Sequence, residues 1–139
     1  MDKKSIVFSF TIAYTILIII LSLVQLGDMP KLNTGFDDKI AHFLLYALFC
    51  LMWFLSFQFF KIKRSLFLAF AFSVLFGLII ELLQNEVTAY RSADVLDFLA
   101  NTIGALAMST LIYIKKEVII KSDASFKYRQ FLQLFGEDL

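Results

Sequence analysis

The sequence predicts an all-α fold: an integral membrane bundle of four transmembrane helices with both termini in the cytoplasm. Three observations carry this. The chain is 60% hydrophobic, against ~45–50% for a soluble domain. Its apolar residues collect in four runs, at 6–26, 40–60, 65–83 and 98–114, each near the ~20 residues a bilayer crossing needs. Its basic residues fall on alternate connectors. Lys3 and Lys4, the "KIKR" of 61–64, Lys115, Lys116, Lys121, Lys127 and Arg129 make ten of the thirteen, all on one side of such a bundle. The positive-inside rule assigns that side to the cytoplasm.

The first run lacks a small-residue cleavage pattern and reads as a retained helix. Its Thr11, Tyr14, Thr15, Ser22 and Gln25 are scattered mild polars, so it is expected to pack as a wall. A connector at 27–38 follows, with Gly27, Pro30, Asn33 and Gly35 as turn residues. The second and third runs are joined only by the short basic turn, which makes them antiparallel neighbours. The connector at 84–97 has no Gly or Pro. Ser92, followed by Asp94, reads as an N-cap, so the fourth helix is expected to start near Ser92 and enter the membrane near Leu96. These runs give a transmembrane domain at 1–121. The tail at 122–139 is either a short helix lying on the cytoplasmic leaflet or a frayed end. With seven acids against three bases, the outward face is acidic and offers nothing to nucleic acid. The lipid bilayer is the one partner composition requires. The single cysteine, Cys50, excludes a disulfide framework and reads as a small buried hydrophobe.

Polar residues interrupt the apolar runs in three stripes. Lys39, His42 and Tyr46 are spaced i, i+3, i+7. Gly77, Glu81 and Gln84 are spaced i, i+4, i+7. Asp94, Asp97, Asn101 and Gly104 are spaced i, i+3, i+7, i+10, with Arg91 near the same face. Each set lies on one helix face. At ~1.5 Å per residue, Lys39 to Tyr46 and Asp94 to Asn101 both span about 10 Å. The topology puts all three stripes at the outer ends of their helices. An ionisable side chain in hydrocarbon costs ~2.5–3.5 kcal/mol on insertion scales, so it turns toward the bundle interior or water. Three stripes at one depth satisfy one another only by converging. Gly77 and Gly104 lie just below, where small residues let backbones approach.

The candidate ligand-binding residues are therefore Lys39, His42, Tyr46, Glu81, Gln84, Arg91, Asp94, Asp97 and Asn101. The plain reading is caps, anchors and interhelical glue; for His42 it is a hydrogen bond to Glu81 or Asp97. The sharper reading is proton transfer, with His42, Glu81 and Asp97 as acid–base candidates, because histidine titrates near neutrality. A metal on His42 with Glu81, Asp94 or Asp97 is chemically reasonable, but the spacing does not identify one, and no cofactor motif is present.

The segments "DKIAHFLLYAL", "LIIELLQ" and "RSADVLDFLANTIGALA", in that order, resemble the VanZ-like family of small bacterial membrane proteins. The matching residues are Asp38, Lys39, His42, Phe43, Tyr46, Glu81, Gln84, Arg91, Asp94, Asp97, Asn101 and Gly104. Where a proline often precedes the arginine of the family pattern, this chain has "TAY". The resemblance implies a multi-pass protein of the bacterial inner membrane with an envelope role, linked in the founding case to reduced teicoplanin susceptibility; it supplies no mechanism. Two function classes remain. One is a module that binds a lipid-linked or cell-wall-related ligand at the outer face and contributes to glycopeptide resistance. The other is a membrane-embedded enzyme acting on a lipid head group or cell-wall precursor. The second lacks a serine or cysteine nucleophile beside the histidine. Transport ranks last, because the cytoplasmic halves of the helices are continuously apolar.

Overall fold

A computed structural model of the chain describes residues 2–23, 37–87 and 94–135; the side chains of Asp37, Asn85, Val87 and 118–135 lie outside that description. The described chain is helical throughout apart from turns: α1 (Lys3–Leu23), α2 (Asp37–Phe59), α3 (Ser65–Val87) and α4 (Val95–Phe135). All four are long and apolar enough to cross a membrane. The chain divides into two compact units, Met1–Ser109 and Thr110–Leu139.

The helix ends follow from local chemistry. The Asp2 carboxylate accepts from the Ser5 N–H at 2.8 Å and caps α1. At the end of α2, Ile62 N–H bonds back to the Phe57 carbonyl and Lys61 N–H to Gln58, both at 2.9 Å. This is a Schellman closure with Lys61 at φ 55°, in the left-handed position usually taken by glycine. Arg64, at φ 57°, makes the second bend, and Gln58 Nε2 donates to Ser65 Oγ across the turn at 2.7 Å. So the four-residue "KIKR" reverses the chain, and α2 and α3 pack side by side as expected.

The start of α4 differs from the expectation. The helix begins at Val95, and its cap is Asp94: Oδ1 accepts from Leu96 N–H at 2.8 Å, while the Asp94 carbonyl accepts from Asp97 and Phe98. Aspartate caps as well as serine, and here its second oxygen has a further partner across the bundle, described below. Ser92 and Arg91 lie outside the described residues, as does the connector at 24–36. At the other end α4 continues to Phe135, past the apolar run that stops at 114. Good helix formers and the absence of Gly or Pro between Gly104 and Gly136 permit this. Within the second unit, the Tyr113 hydroxyl donates to Glu117 one turn on, at 2.9 Å.

The core of the first unit is an aromatic ladder between α2 and α3. Phe49 stacks on Phe76 with ring centroids 4.8 Å apart, and Trp53 meets Phe72 edge-on at 4.6 Å. Ile18 of α1 closes this cluster, and beside it Cys50, Ala69 and Ala105 bring α2, α3 and α4 together. Cys50 is fully buried, with Sγ 3.3 Å from Ser109 Oγ. Large apolar side chains such as Phe10, Phe67 and Leu75 point outward, as lipid-facing residues do.

α1 is more than a wall. Thr11 Oγ1 lies 2.8 Å from Ser56 Oγ, and the Tyr14 hydroxyl donates to the Leu45 carbonyl at 3.0 Å. Both contacts tie α1 to α2, so Thr11 and Tyr14 are interhelical glue, while Thr15 bonds within α1 to the Thr11 carbonyl and Gln25 lies outside the described residues.

Candidate functional site

The three stripes converge at the end of the bundle where α2 and α4 begin and α3 ends. Close backbone approach makes this possible. A Cβ on Gly104 would collide with the backbone carbonyl of Phe43, so α2 and α4 touch main chain to main chain there. A Cβ on Gly77 would stand 3.0 Å from the Tyr46 ring and 3.4 Å from the Asn101 side chain. The two glycines thus seat the polar groups one turn above.

Lys39 sits at the rim. Its ammonium lies 2.5 Å from both Asp94 Oδ2 and Asp97 Oδ1. The Asp94 contact is an aligned hydrogen bond, whereas the approach to Asp97 Oδ1 is off-angle and acts through charge. The Lys39 ammonium, followed by the Leu96 N–H, holds the Asp94 carboxyl below the usual carboxylate range. Asp94 therefore caps α4 with one oxygen and pins α2 with the other.

Glu81 joins α3 to the beginning of α4. It is 3% exposed. Its Oε2 accepts from the Asp94 backbone N–H at 3.3 Å, and its Oε1 from Asn101 Nδ2 at 3.5 Å. Asn101 then turns its carbonyl oxygen to His42 Nδ1, 3.0 Å away. An ionised Glu81 only accepts, which turns the Asn101 NH2 toward Glu81 and its oxygen toward His42, and a proton on His42 Nδ1 completes that chain of bonds. His42 is buried, and its Nε2 faces Asp97 Oδ2 at 3.7 Å and Asp38 Oδ1 at 3.8 Å. Of the two partners expected for the histidine hydrogen bond, neither takes it directly. Asn101 stands between His42 and Glu81, and Asp97 stays beyond hydrogen-bond range.

The remaining candidates divide. Tyr46 is 1% exposed, and its hydroxyl has no hydrogen-bond partner among the described residues. Gln84 is buried and donates through Nε2 to the Ser22 carbonyl of α1 at 2.9 Å, so one of its amide hydrogens braces α3 against α1. Arg91 is outside the described residues. Asp38 was not singled out as a ligand-binding residue by the stripes, yet it lies one turn before His42 on the same face; the i, i+4 spacing was the signal that marks it.

Four helices long and apolar enough to cross a membrane, with a network of buried His42, Glu81, Asp97 and Asn101 and Lys39 at its rim, define a multi-pass membrane protein. The VanZ/LLP1 family model matches residues 8–116, which takes in all three stripes. The chain belongs to that family and is a VanZ-like envelope membrane protein. Comparison with curated proteins and with solved structures gives no match.

Proposed function

We propose that the chain works at the outer leaflet of the bacterial cytoplasmic membrane, with both termini inside. There its polar end receives the head of a lipid-linked or cell-wall-related ligand and contributes to glycopeptide (teicoplanin) resistance. The observation that carries this reading is the convergence of Lys39, His42, Glu81, Asp97 and Asn101, from three helices, on one network. Bracing four helices needs far less polar chemistry than this, and intramembrane ionisable groups mark sites by default. The orientation rests on the charge asymmetry of the connectors.

The contacts also sharpen what such a ligand presents. Lys39 is matched by two carboxylates, so a bare phosphate finds little uncompensated positive charge at this lysine. The acidic groups and the Tyr46 hydroxyl suit an ammonium or a hydrogen-bonding sugar or peptide head.

Two measurements test the reading. In a Cys50→Ser background, cysteines at Asn33 and Thr88 are expected to react with a membrane-impermeant thiol reagent in intact cells, and one at Ser122 to be protected. The opposite pattern overturns the orientation. In a strain lacking the chain, the wild-type gene is expected to lower teicoplanin susceptibility, and Lys39→Gln, inserted at equal level, to lose that effect. Equal protection by Lys39→Gln removes the polar end from the function.

A further inference from the structure

The geometry points to a metal site: Asp38, His42 and Asp97 bind one divalent transition-metal ion of the class that accepts mixed nitrogen and carboxylate ligands, such as Zn2+ or Mn2+. The inference does not rest on the ligand reading above.

Two independent observations lead to it. The first is placement. One ligand atom from each of the three residues lies within 4.8 Å of the others. The His42 Nε2 distances of 3.7 and 3.8 Å to the two carboxylates are too long for hydrogen bonds. They are close to the spacing of ligands around one ion. Bonds of ~2.0–2.2 Å in tetrahedral geometry put neighbouring ligand atoms roughly 3.3–3.6 Å apart. Side-chain shifts of a few tenths of an ångström close the two His42 distances, and the third pair, within 4.8 Å, closes with a movement of about 1 Å that the exposed Asp38 side chain can make.

The second is the tautomer. The Glu81–Asn101–His42 chain keeps the proton on Nδ1. Nε2 lies on a ring 7% exposed, aimed between two carboxylates at distances too long for hydrogen bonds, and in the neutral ring it carries the lone pair. Lone pair facing lone pair is repulsive in a buried site. A metal cation between the three atoms makes each contact a bond, whereas a proton on Nε2 gives charge attraction at 3.7 and 3.8 Å without a hydrogen bond to either oxygen. Histidine ligands in metal sites hold their other nitrogen in this way, by donating it to an oxygen acceptor. Asp97 is set likewise: Oδ1 is held by Lys39, and Oδ2 is turned to His42.

Access and vacancy also fit. The Asp38 side chain is 55% exposed, so the site has a way in from the aqueous end of the bundle. Three protein ligands leave a fourth position for an oxygen of water or of a bound head group. The sequence spacing is Asp38 and His42 at i, i+4 on α2, with Asp97 contributed across the Gly104–Phe43 contact.

The test uses the full chain, purified in detergent with a tag free of histidine, stripped with a chelator and dialysed. ZnCl2 and MnCl2 are titrated by calorimetry, and bound metal is counted by mass spectrometry. The expected result is one ion per chain for at least one of the two metals, with affinity reduced at least tenfold in Asp38→Asn. Because Asp38 is exposed, that variant keeps its fold even where His42→Gln does not. In protein labelled with 15N at its single histidine, metal is expected to shift the Nε2 resonance and leave Nδ1 protonated. No uptake of either metal overturns the inference, as does uptake that Asp38→Asn leaves unchanged, or metal binding at Nδ1. None of these readouts involves lipid or drug. A null result here therefore leaves the teicoplanin reading standing, and a null result there leaves this one.

Discussion

Glu81→Gln replaces a carboxylate by an amide of nearly the same volume, and the network decides what that costs. In the native protein the two Glu81 oxygens accept from Asp94 N–H at 3.3 Å and from Asn101 Nδ2 at 3.5 Å. Glutamine has one acceptor to offer in place of two. If its NH2 turns to Asp94, two N–H groups face each other at the start of α4. If it turns to Asn101, that amide must flip, and its NH2 then confronts the protonated Nδ1 of His42. Either way a buried donor loses its acceptor, or the histidine changes tautomer. A hydrogen bond to a charged group contributes ~1.5–3 kcal/mol. Both bonds here are long, which argues for the lower end, about 1–2 kcal/mol. The expected outcome is a midpoint of thermal unfolding in detergent lower by several degrees, with the chain still inserted. Glu81→Ala, which removes both acceptors, is expected to lose more. A Glu81→Gln protein as stable as wild type, within ~0.5 kcal/mol, refutes the claim that Glu81 organises the network.

Gly104→Ala drives a methyl into the Phe43 backbone; with overpacking costs of ~1–3 kcal/mol, a lower unfolding midpoint is expected, and an unchanged one denies the close α2–α4 approach. Thr11→Val and Ser56→Ala form a double-mutant cycle across the 2.8 Å contact between α1 and α2, with an expected coupling near the ~0.6 kcal/mol average of such bilayer hydrogen bonds. A coupling of zero removes Thr11 from the interface. Asp94 has its pKa depressed by Lys39, so its contribution to stability is complete above the ordinary carboxylate value, ~3.9, and is lost as pH falls through the lower folded value. Asp94→Asn, which keeps a capping side chain, is expected to be less stable than wild type at pH 7 and to converge with it in acid. Parallel acid profiles in the two proteins contradict the Lys39–Asp94 pairing.

Hydropathy made the apolar spans legible, and the i, i+3, i+7 stripes made their inner faces legible. The runs at 6–26, 40–60 and 65–83 correspond closely to α1, α2 and α3. Hydropathy measures membrane compatibility, however, and says little about where a helix stops in water. That is why the apolar run stops at 114 and the tail at 122–139 reads equally as a short helix or a frayed end, whereas α4 continues to Phe135. α4 starts at Val95 with Asp94 as its cap; Ser92 and Asp94 are both good cap residues, and the partners of Asp94 across the bundle, Lys39 and Glu81, are not legible in spacing along one helix. The stripes put Lys39, His42, Glu81, Asp97 and Asn101 at one depth, and that depth is where they meet. Spacing along a helix cannot order partners across helices. Asn101 therefore takes the histidine bond expected for Glu81 or Asp97, and Gln84 reaches α1. Asp38 lies on the same face as His42 but looked like connector, because its exposed carboxylate hides no hydropathy signal.

The central claim is that three helices meet in one hydrogen-bonded chain that fixes the state of His42. The chain has one histidine, so 15N-histidine labelling reports on this residue alone. The spectrum of metal-free protein in detergent at pH ~8.5, above the ordinary histidine range, reads the proton position directly. The account predicts a single tautomer with Nδ1 protonated and Nε2 bare, and a change in that pattern in Glu81→Gln. A ring protonated at Nε2, or one averaging freely between the two tautomers, contradicts it.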